Sequence, residues 1–411
     1  MRQLRGACRF CGARLAHMFV DLGMSPIANH YLSEDELGRM EPYYPLRALV
    51  CDQCFLVQLE EFETPEAIFS DYAYFSSYST SWLDHCRRYA EMATERFGLN
   101  DRSQVVEIAS NDGYLLQYFA QAGVPVLGIE PAANVAEVAR DRGIETAVEF
   151  FGHEFARDLA AERRRADLLI GNNVLAHVPD LNDFVEGMQV LLAPEGTITM
   201  ELPHLERIVE ERQFDTIYHE HFSYFSLLTV RRVFAAHDLT VFDVDELPTH
   251  GGSLRIYACH SGARPVTDVV RELEAREERA GFTHVETYLG FGKAVHQEKR
   301  DILESLIGLK NDGRRIAGYG APAKGNTLLN FCGIGTEFID FTVDRNPHKQ
   351  GRYLPGSYIP IRHPDEIERA RPDVVFILPW NLREEITDQL RFISDWGGRF
   401  LVRSPALELY A

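Results

Sequence analysis

Nine consecutive residues, Tyr218-His219-Glu220-His221-Phe222-Ser223-Tyr224-Phe225-Ser226, place two imidazoles, a carboxyl group and two phenols in one short stretch. Histidine titrates near neutrality, so such a group can remove a proton from carbon, and a phenol can steady the oxygen on which charge then develops. His221 follows Tyr218 by three residues and would share a face with it if the stretch turns helically. The plainer alternative is a histidine that only buttresses the following helix, with His219 or His177 then left as the base.

A second constellation is built for metal. Cys8-Arg9-Phe10-Cys11 and Cys51-Asp52-Gln53-Cys54 each set two thiols on one tight turn, and together they offer the four soft ligands of a closed tetrahedral zinc site. A redox CxxC is the competing reading, but two pairs in one chain favour zinc. The ion would be structural and would hold the first ~60 residues together.

The elements around these groups explain where they stand. Thr197 to Leu202 reads as a buried strand before the Tyr218–Ser226 stretch, and Leu227 to Leu239 as a helix after it, capped by Ser226. The stretch is therefore a loop at a carboxyl end, where open α/β sheets bind ligands. Earlier, Gln104 to Ile108 is a β-branched strand that runs into a small-residue turn, Ala109-Ser110-Asn111-Asp112-Gly113, and then a helix. The next strand, Val126 to Ile129, ends in Glu130, placed to accept both hydroxyls of a ribose. With Glu107 near the end of the first strand, this is closer to the S-adenosylmethionine form of the nucleotide fold than to the dinucleotide form with GxGxxG. A third strand, Ala166 to Gly171, leads to a loop holding Asn173 and His177, so four signals converge on one sheet edge.

Between the metal residues and this domain lies Asp71-Tyr72-Ala73-Tyr74-Phe75, followed by an amphipathic helix over Ser81–Phe97. Tyr72 and Tyr74 read first as packing residues, and second as hydrogen-bonding groups for a polar ligand. Residues 266–310 are charged at helical spacing and read as a solvated connector. A second strand, Gly-rich turn and helix begin at Arg315, with Lys324 and Asn326 where a helix N-terminus would meet a diphosphate. Pro322 and a missing third glycine count against a nicotinamide dinucleotide there.

With 62 acidic and 42 basic residues the net charge of −20 excludes nucleic acid as the main partner. No apolar run is long enough to span a bilayer, and the first residues carry no apolar signal region, so a cytoplasmic protein is expected. The expected organisation is α/β throughout: a zinc-binding domain over 1–65, a helical connector over 66–100, a class I methyltransferase (Rossmann-like) domain over 101–260, a helical connector over 261–310 and a Rossmann-like domain over 311–411.

On these residues the chain resembles the sugar C-methyltransferases that act on nucleotide-linked keto-deoxysugars. The resemblance rests on the two CxxC pairs with Leu22-Gly23-Met24-Ser25-Pro26 between them, Glu107-Ile108-Ala109-Ser110-Asn111-Asp112-Gly113, the Asn172–His177 loop, Tyr218 to Tyr224, and Gly318-Tyr319-Gly320-Ala321-Pro322-Ala323-Lys324-Gly325. It implies S-adenosylmethionine as methyl donor, with Glu107, Ala109, Ser110, Asn111, Gly113, Glu130 and Asn173 around it. It further implies His221 as base, Tyr218 and His177 near the keto and enolate oxygen, Glu220 orienting its neighbours, and Tyr72, Tyr74, Tyr224, Lys324 and Asn326 on the substrate. The implied partner is a dTDP-linked 4-keto-deoxysugar methylated at C3, with C5-methylation of a related sugar as the alternative; separately from the resemblance, a monomer is the expected state. An NAD-linked oxidoreductase and a non-catalytic sugar-nucleotide binder are the competing classes. Neither accounts for a Tyr-His-Glu-His stretch beside a separate cofactor turn.

Overall fold

Short β-branched runs that end in small residues and lead into helices make parallel layers, and the chain contains this pattern twice. The computed structural model describes residues 6–62, 64, 77, 80–162, 164–403 and 407–411. They fall into two compact units, each assembled from three segments. The first comprises Met1–Leu15, Cys51–His204 and Phe222–His284, and the second Ala16–Val50, Leu205–His221 and Val285–Ala411.

In the first unit, β1 (Val105–Ile108), β2 (Val126–Ile129), β3 (Thr146–Ala147), β4 (Ala166–Asn172), β5 (Leu192–Pro203), β6 (Leu239–Leu247) and β7 (Ser253–His260) form one sheet in the order β3-β2-β1-β4-β5-β7-β6. β1 to β5 run parallel, and β7 is antiparallel to both its neighbours. This is the class I methyltransferase order. All four residues of β1 are buried, as a strand covered on both faces requires. Helix α1 (Thr80–Phe97) packs Cys86, Tyr89 and Ala93 against Val105, Leu115 and Phe119.

Ser226 caps α2 (Leu227–Ala235) as its sequence suggests, its hydroxyl accepting from the Thr229 N–H at 3.1 Å. The helix stops at Ala235 instead of reaching Leu239. Asp238 takes a left-handed conformation (φ 56°), and Leu239 already opens β6. Nor is the region after 266 a solvated connector. α3 (Asp268–Arg279) buries Val270, Leu273 and Glu277, and the Glu277 carboxylate accepts from the Leu227 and Leu228 N–H groups at 2.7 and 2.8 Å. An acid at a helix N-terminus satisfies unpaired N–H groups and favours the dipole.

In the second unit, α4 (Phe291–Asn311) buries the stripe Val295, Glu298, Ile302 and Leu306. Phe291 stacks on Phe19 of the antiparallel pair His17–Ser25 and Tyr44–Val50, with ring centroids 4.3 Å apart. The other sheet of this unit contains β8 (Ile316–Tyr319), β9 (Thr342–Val343), β10 (Ile361–Arg362), β11 (Val374–Ile377), β12 (Arg399–Val402) and β13 (Glu408–Tyr410) in the order β10-β9-β8-β11-β12-β13. Only β13 runs antiparallel, against β12. Helix α5 (Ala323–Cys332) follows the Gly-rich turn after β8. No helix among the described residues is long and apolar enough to cross a membrane.

Candidate active site

β1 ends in a turn with three residues of positive φ: Ala109 (56°), Asn111 (49°) and Gly113 (75°). For a non-glycine residue such a conformation costs about 1–3 kcal/mol and persists only where the surroundings enforce it. Glu130, at the end of β2, does so in part: its carboxylate oxygens accept from the N–H groups of Asn111 and Ala132, each at 2.9 Å. Each oxygen keeps a lone pair for a ribose hydroxyl. Gly113 leaves little room for a side chain, since a Cβ there would lie 3.1 Å from Ile144 Cγ1.

Three further groups make this turn a ligand cradle. Glu107 is fully buried, and burial, reinforced by Glu130 and Asp112, pushes its carboxyl well above the ordinary range against the pull of the neighbouring Tyr114 hydroxyl. Ser110 Oγ and Asp112 Oδ1 are buried without a hydrogen-bond partner. Asp112 Oδ2 is held by Arg142 at 3.1 Å and by Ser77. Buried acids and an unpaired hydroxyl fit the ammonium and ribose hydroxyls of S-adenosylmethionine. Asn173 (φ 55°) turns the chain after β4, donating its N–H to the Glu201 carbonyl at 2.7 Å, and His177 closes the short 3-10 turn Leu175–His177 that follows. Tyr224 is buried in the strand Ser223–Tyr224, paired with Val57. Tyr72 and Tyr74 lie outside the described residues.

Beside the cradle stands a network that sequence reasoning missed. Glu201 at the end of β5 accepts from Arg255 Nη2 at 2.9 Å, from Thr249 Oγ1 at 2.7 Å and from His85 Nε2 at 2.9 Å. Burial alone would raise its pKa, but His85 and Arg255 hold it at about 2. Trp82 stacks on His85 with centroids 4.9 Å apart and leans on Tyr114 and His250. The available signal was a charge inside an apolar strand, Glu201 after Met200 and Arg255 between Leu254 and Ile256.

The four cysteines meet in the first unit. Cys8 and Cys54 sulfurs are 3.5 Å apart, as are those of Cys11 and Cys51, and all four lie within 4.8 Å of one another. Zn–S bonds of about 2.3 Å in a tetrahedron separate sulfurs by about 3.8 Å, so the set fits one zinc ion with no open position. Gln58 Nε2 donates to Cys8 Sγ at 3.2 Å and the Gln53 N–H to Cys51 Sγ at 3.4 Å, which orients the ligands.

Of the four signals expected on one sheet edge, three stand at carboxyl ends in the first unit, whereas Tyr218, Glu220 and His221 belong to the second. There the His221 N–H donates to the Tyr218 carbonyl at 2.9 Å, which turns the segment so that the rings lie 4.0 Å apart. Thr216 O, 3.0 Å from His221 Nδ1, can only accept, so Nδ1 carries the proton. Nε2 therefore keeps its lone pair and accepts from the Tyr218 hydroxyl at 2.7 Å. His219 is committed elsewhere, donating to Pro45 O at 3.2 Å. Glu220 is 1 % exposed, its Oε1 lies 3.1 Å from Asn29 Nδ2, and burial pushes its pKa to about 7.

The Gly-rich turn after β8 is tight. Gly320 has φ 89°, and a Cβ on it would lie 2.5 Å from Pro379 Cδ. The Ala321 N–H is taken by Asp344 Oδ2 at 2.7 Å and Pro322 has none, which removes two of the donors a dinucleotide would use. Lys324 donates to Asn381 Oδ1 at 2.9 Å, lies 4.6 Å over the Trp380 ring, and has its pKa lowered by burial to about 8. Asn326 is buried, its Nδ2 donating to Ala28 O at 2.5 Å while Oδ1 has no partner.

Three family models match in succession: "Putative zinc binding domain" over residues 8–69, "Methyltransferase domain" over 82–244 and "C-methyltransferase C-terminal domain" over 248–405. C-methyltransferase NovU of Streptomyces niveus is 39 % identical over 399 residues, spanning 97 % of this chain and 95 % of that one. A ubiquinone biosynthesis O-methyltransferase of Chelativorans sp. is 30 % identical over 94 residues, 23 % of this chain and 37 % of that one. The crystal structure of an S-adenosylmethionine-dependent methyltransferase from Anabaena variabilis matches 49 % of this chain and all of its own, at 16 % identity and a TM-score of 0.36. On the match to NovU over nearly the whole of both chains, with the three family models in succession, the chain belongs to the S-adenosylmethionine-dependent C-methyltransferases with an N-terminal zinc-binding domain.

Proposed function

We propose that this enzyme methylates C3 of a nucleotide-linked, dTDP-type 4-keto-deoxysugar. The observation that supports the reading best is the Tyr218–His221 pair: an imidazole held through Nδ1 by the Thr216 carbonyl, with Nε2 2.7 Å from a phenol oxygen. A carbon beside a ketone becomes nucleophilic only when its proton leaves, and that needs a positioned base. As the Tyr218 hydroxyl turns from Nε2 to the oxygen at C4, where the charge collects, it uncovers the Nε2 lone pair of His221, which takes the C3 proton. S-adenosylmethionine, held by the 109–113 turn and Glu130, supplies an electrophilic methyl group.

The remaining roles follow from chemistry at each position. His177 and Tyr224, with Tyr72 and Tyr74, bind the sugar and its oxygens. Lys324 and Asn326 take the diphosphate, in the 311–411 region that binds the nucleotide. A half-buried lysine whose charge is only weakly offset gains most from a dianionic partner. The test is a panel of keto-sugar nucleotides offered with S-adenosylmethionine, read by product mass, and repeated without donor in deuterated solvent. Exchange at C3 of a 4-keto sugar supports the reading, and exchange confined to C5 replaces it with C5-methylation.

A further inference from the structure

Glu220 ends a line of polar side chains within the second unit. Tyr31 Oη lies 2.6 Å from Ala321 O and 3.2 Å from Asn29 Oδ1, and Asn29 Nδ2 lies 3.1 Å from Glu220 Oε1. Lys349 donates to the same Ala321 carbonyl at 2.8 Å and lies over the Tyr31 ring. A phenol has one proton, and a carbonyl can only accept, so the short contact assigns the Tyr31 proton to Ala321 O. The Tyr31 oxygen then faces Asn29 Oδ1, acceptor against acceptor. Turning the Asn29 amide by a half rotation removes the conflict: its NH₂ donates to Tyr31 and its oxygen faces Glu220. Only a protonated carboxyl group can donate back to that oxygen.

From this donor and acceptor count we infer that Asn29 and Tyr31 are positioning residues that hold Glu220 as a neutral carboxylic acid. The inference rests on the reading that Glu220 belongs to the sugar site. A neutral Glu220 brings no second negative charge beside the developing enolate, where two charges a few ångströms apart would repel. Its other oxygen, Oε2, is buried without a partner, so it accepts a hydroxyl of the sugar. Burial supports the neutral form, pushing the carboxyl to about 7 against the backbone N–H groups of Glu220 and Asn29 and the Asn29 side chain, which favour the charged form. The charged and titratable groups nearby are few. Lys349 and Asp344 act on Tyr31, and of the adjoining histidines His219 is committed to Pro45 and His221 to Thr216 and Tyr218.

The test is infrared difference spectroscopy of the full-length protein, titrated through neutral pH without substrate. The wild type gives the carbonyl stretch of a protonated carboxyl group that is lost as pH rises and is absent in Glu220→Gln. Tyr31→Phe frees Asn29 to turn its NH₂ toward Glu220, which favours the charged form, so the midpoint falls by roughly one pH unit or more. A wild-type spectrum matching that of Glu220→Gln, or a folded Tyr31→Phe with an unmoved midpoint, overturns the inference. Should Tyr31→Phe not fold, the wild type against Glu220→Gln decides alone. The spectra involve no sugar, so a wild type that shows the band but turns over no keto sugar overturns only the proposed substrate.

Discussion

At His221 the Thr216 carbonyl accepts from Nδ1–H, which leaves Nε2 as the atom that can take a proton. His221→Asn should keep the fold and both ligand affinities yet lose about 10²–10⁴ in turnover, with C3 exchange slowed in parallel. An early-melting variant with near wild-type exchange would make the residue structural. On the donor side, Glu130→Ala should weaken S-adenosylmethionine binding by about 1–3 kcal/mol, measured by calorimetry. Part of that loss would come through the turn, since Glu130 also holds Asn111. The Tyr218–His221 pair was legible because its members are three residues apart and a single turn joins them. Asn29 was not, since it meets Glu220 across 191 residues of sequence and no local pattern marks such a contact.

At the scale of elements, Glu201 joins α1, β5, β7 and the loop before β7 through His85, Arg255 and Thr249. Removing one partner of a buried ion pair leaves an uncompensated charge, so Arg255→Leu should cost about 3–5 kcal/mol in chemical denaturation. The folded pKa of Glu201, about 2, lies below its ordinary 4.5, so its ionisation stabilises the fold in full above about pH 4.5. That contribution fades as pH falls toward 2, and Arg255→Leu should weaken this acid-side dependence, His85 and Thr249 keeping the rest. Strand positions were readable because buried parallel strands are short β-branched runs. Helix limits were less so: Ala236 and His237 continue the apolar and polar alternation, and only the left-handed Asp238 ends it. After residue 266 charges outnumber the spaced apolar residues, so the stripes that these helices bury do not stand out in the sequence.

For the whole molecule, the order of functional segments along the chain was legible, but the division into two units was not. Segments 16–50 and 205–221 leave the first unit and return to it, which no composition shift announces. The zinc site spans the first of these excursions, with Cys11 before it and Cys51 after it. Stripping the metal should therefore lower the melting temperature, with recovery on adding zinc, as expected where the ion closes a loop and supplies folding energy. Cys51→Ser should melt early in the same way, and metal-free protein of unchanged stability would refute this role. Whether the enzyme methylates carbon next to a ketone is decided by carbon NMR of the product made from methyl-labelled S-adenosylmethionine and a dTDP-4-keto-deoxysugar. A labelled methyl bonded to C3 is expected, and a label bonded to oxygen, or no transfer from donor that is demonstrably bound, rules C-methylation out.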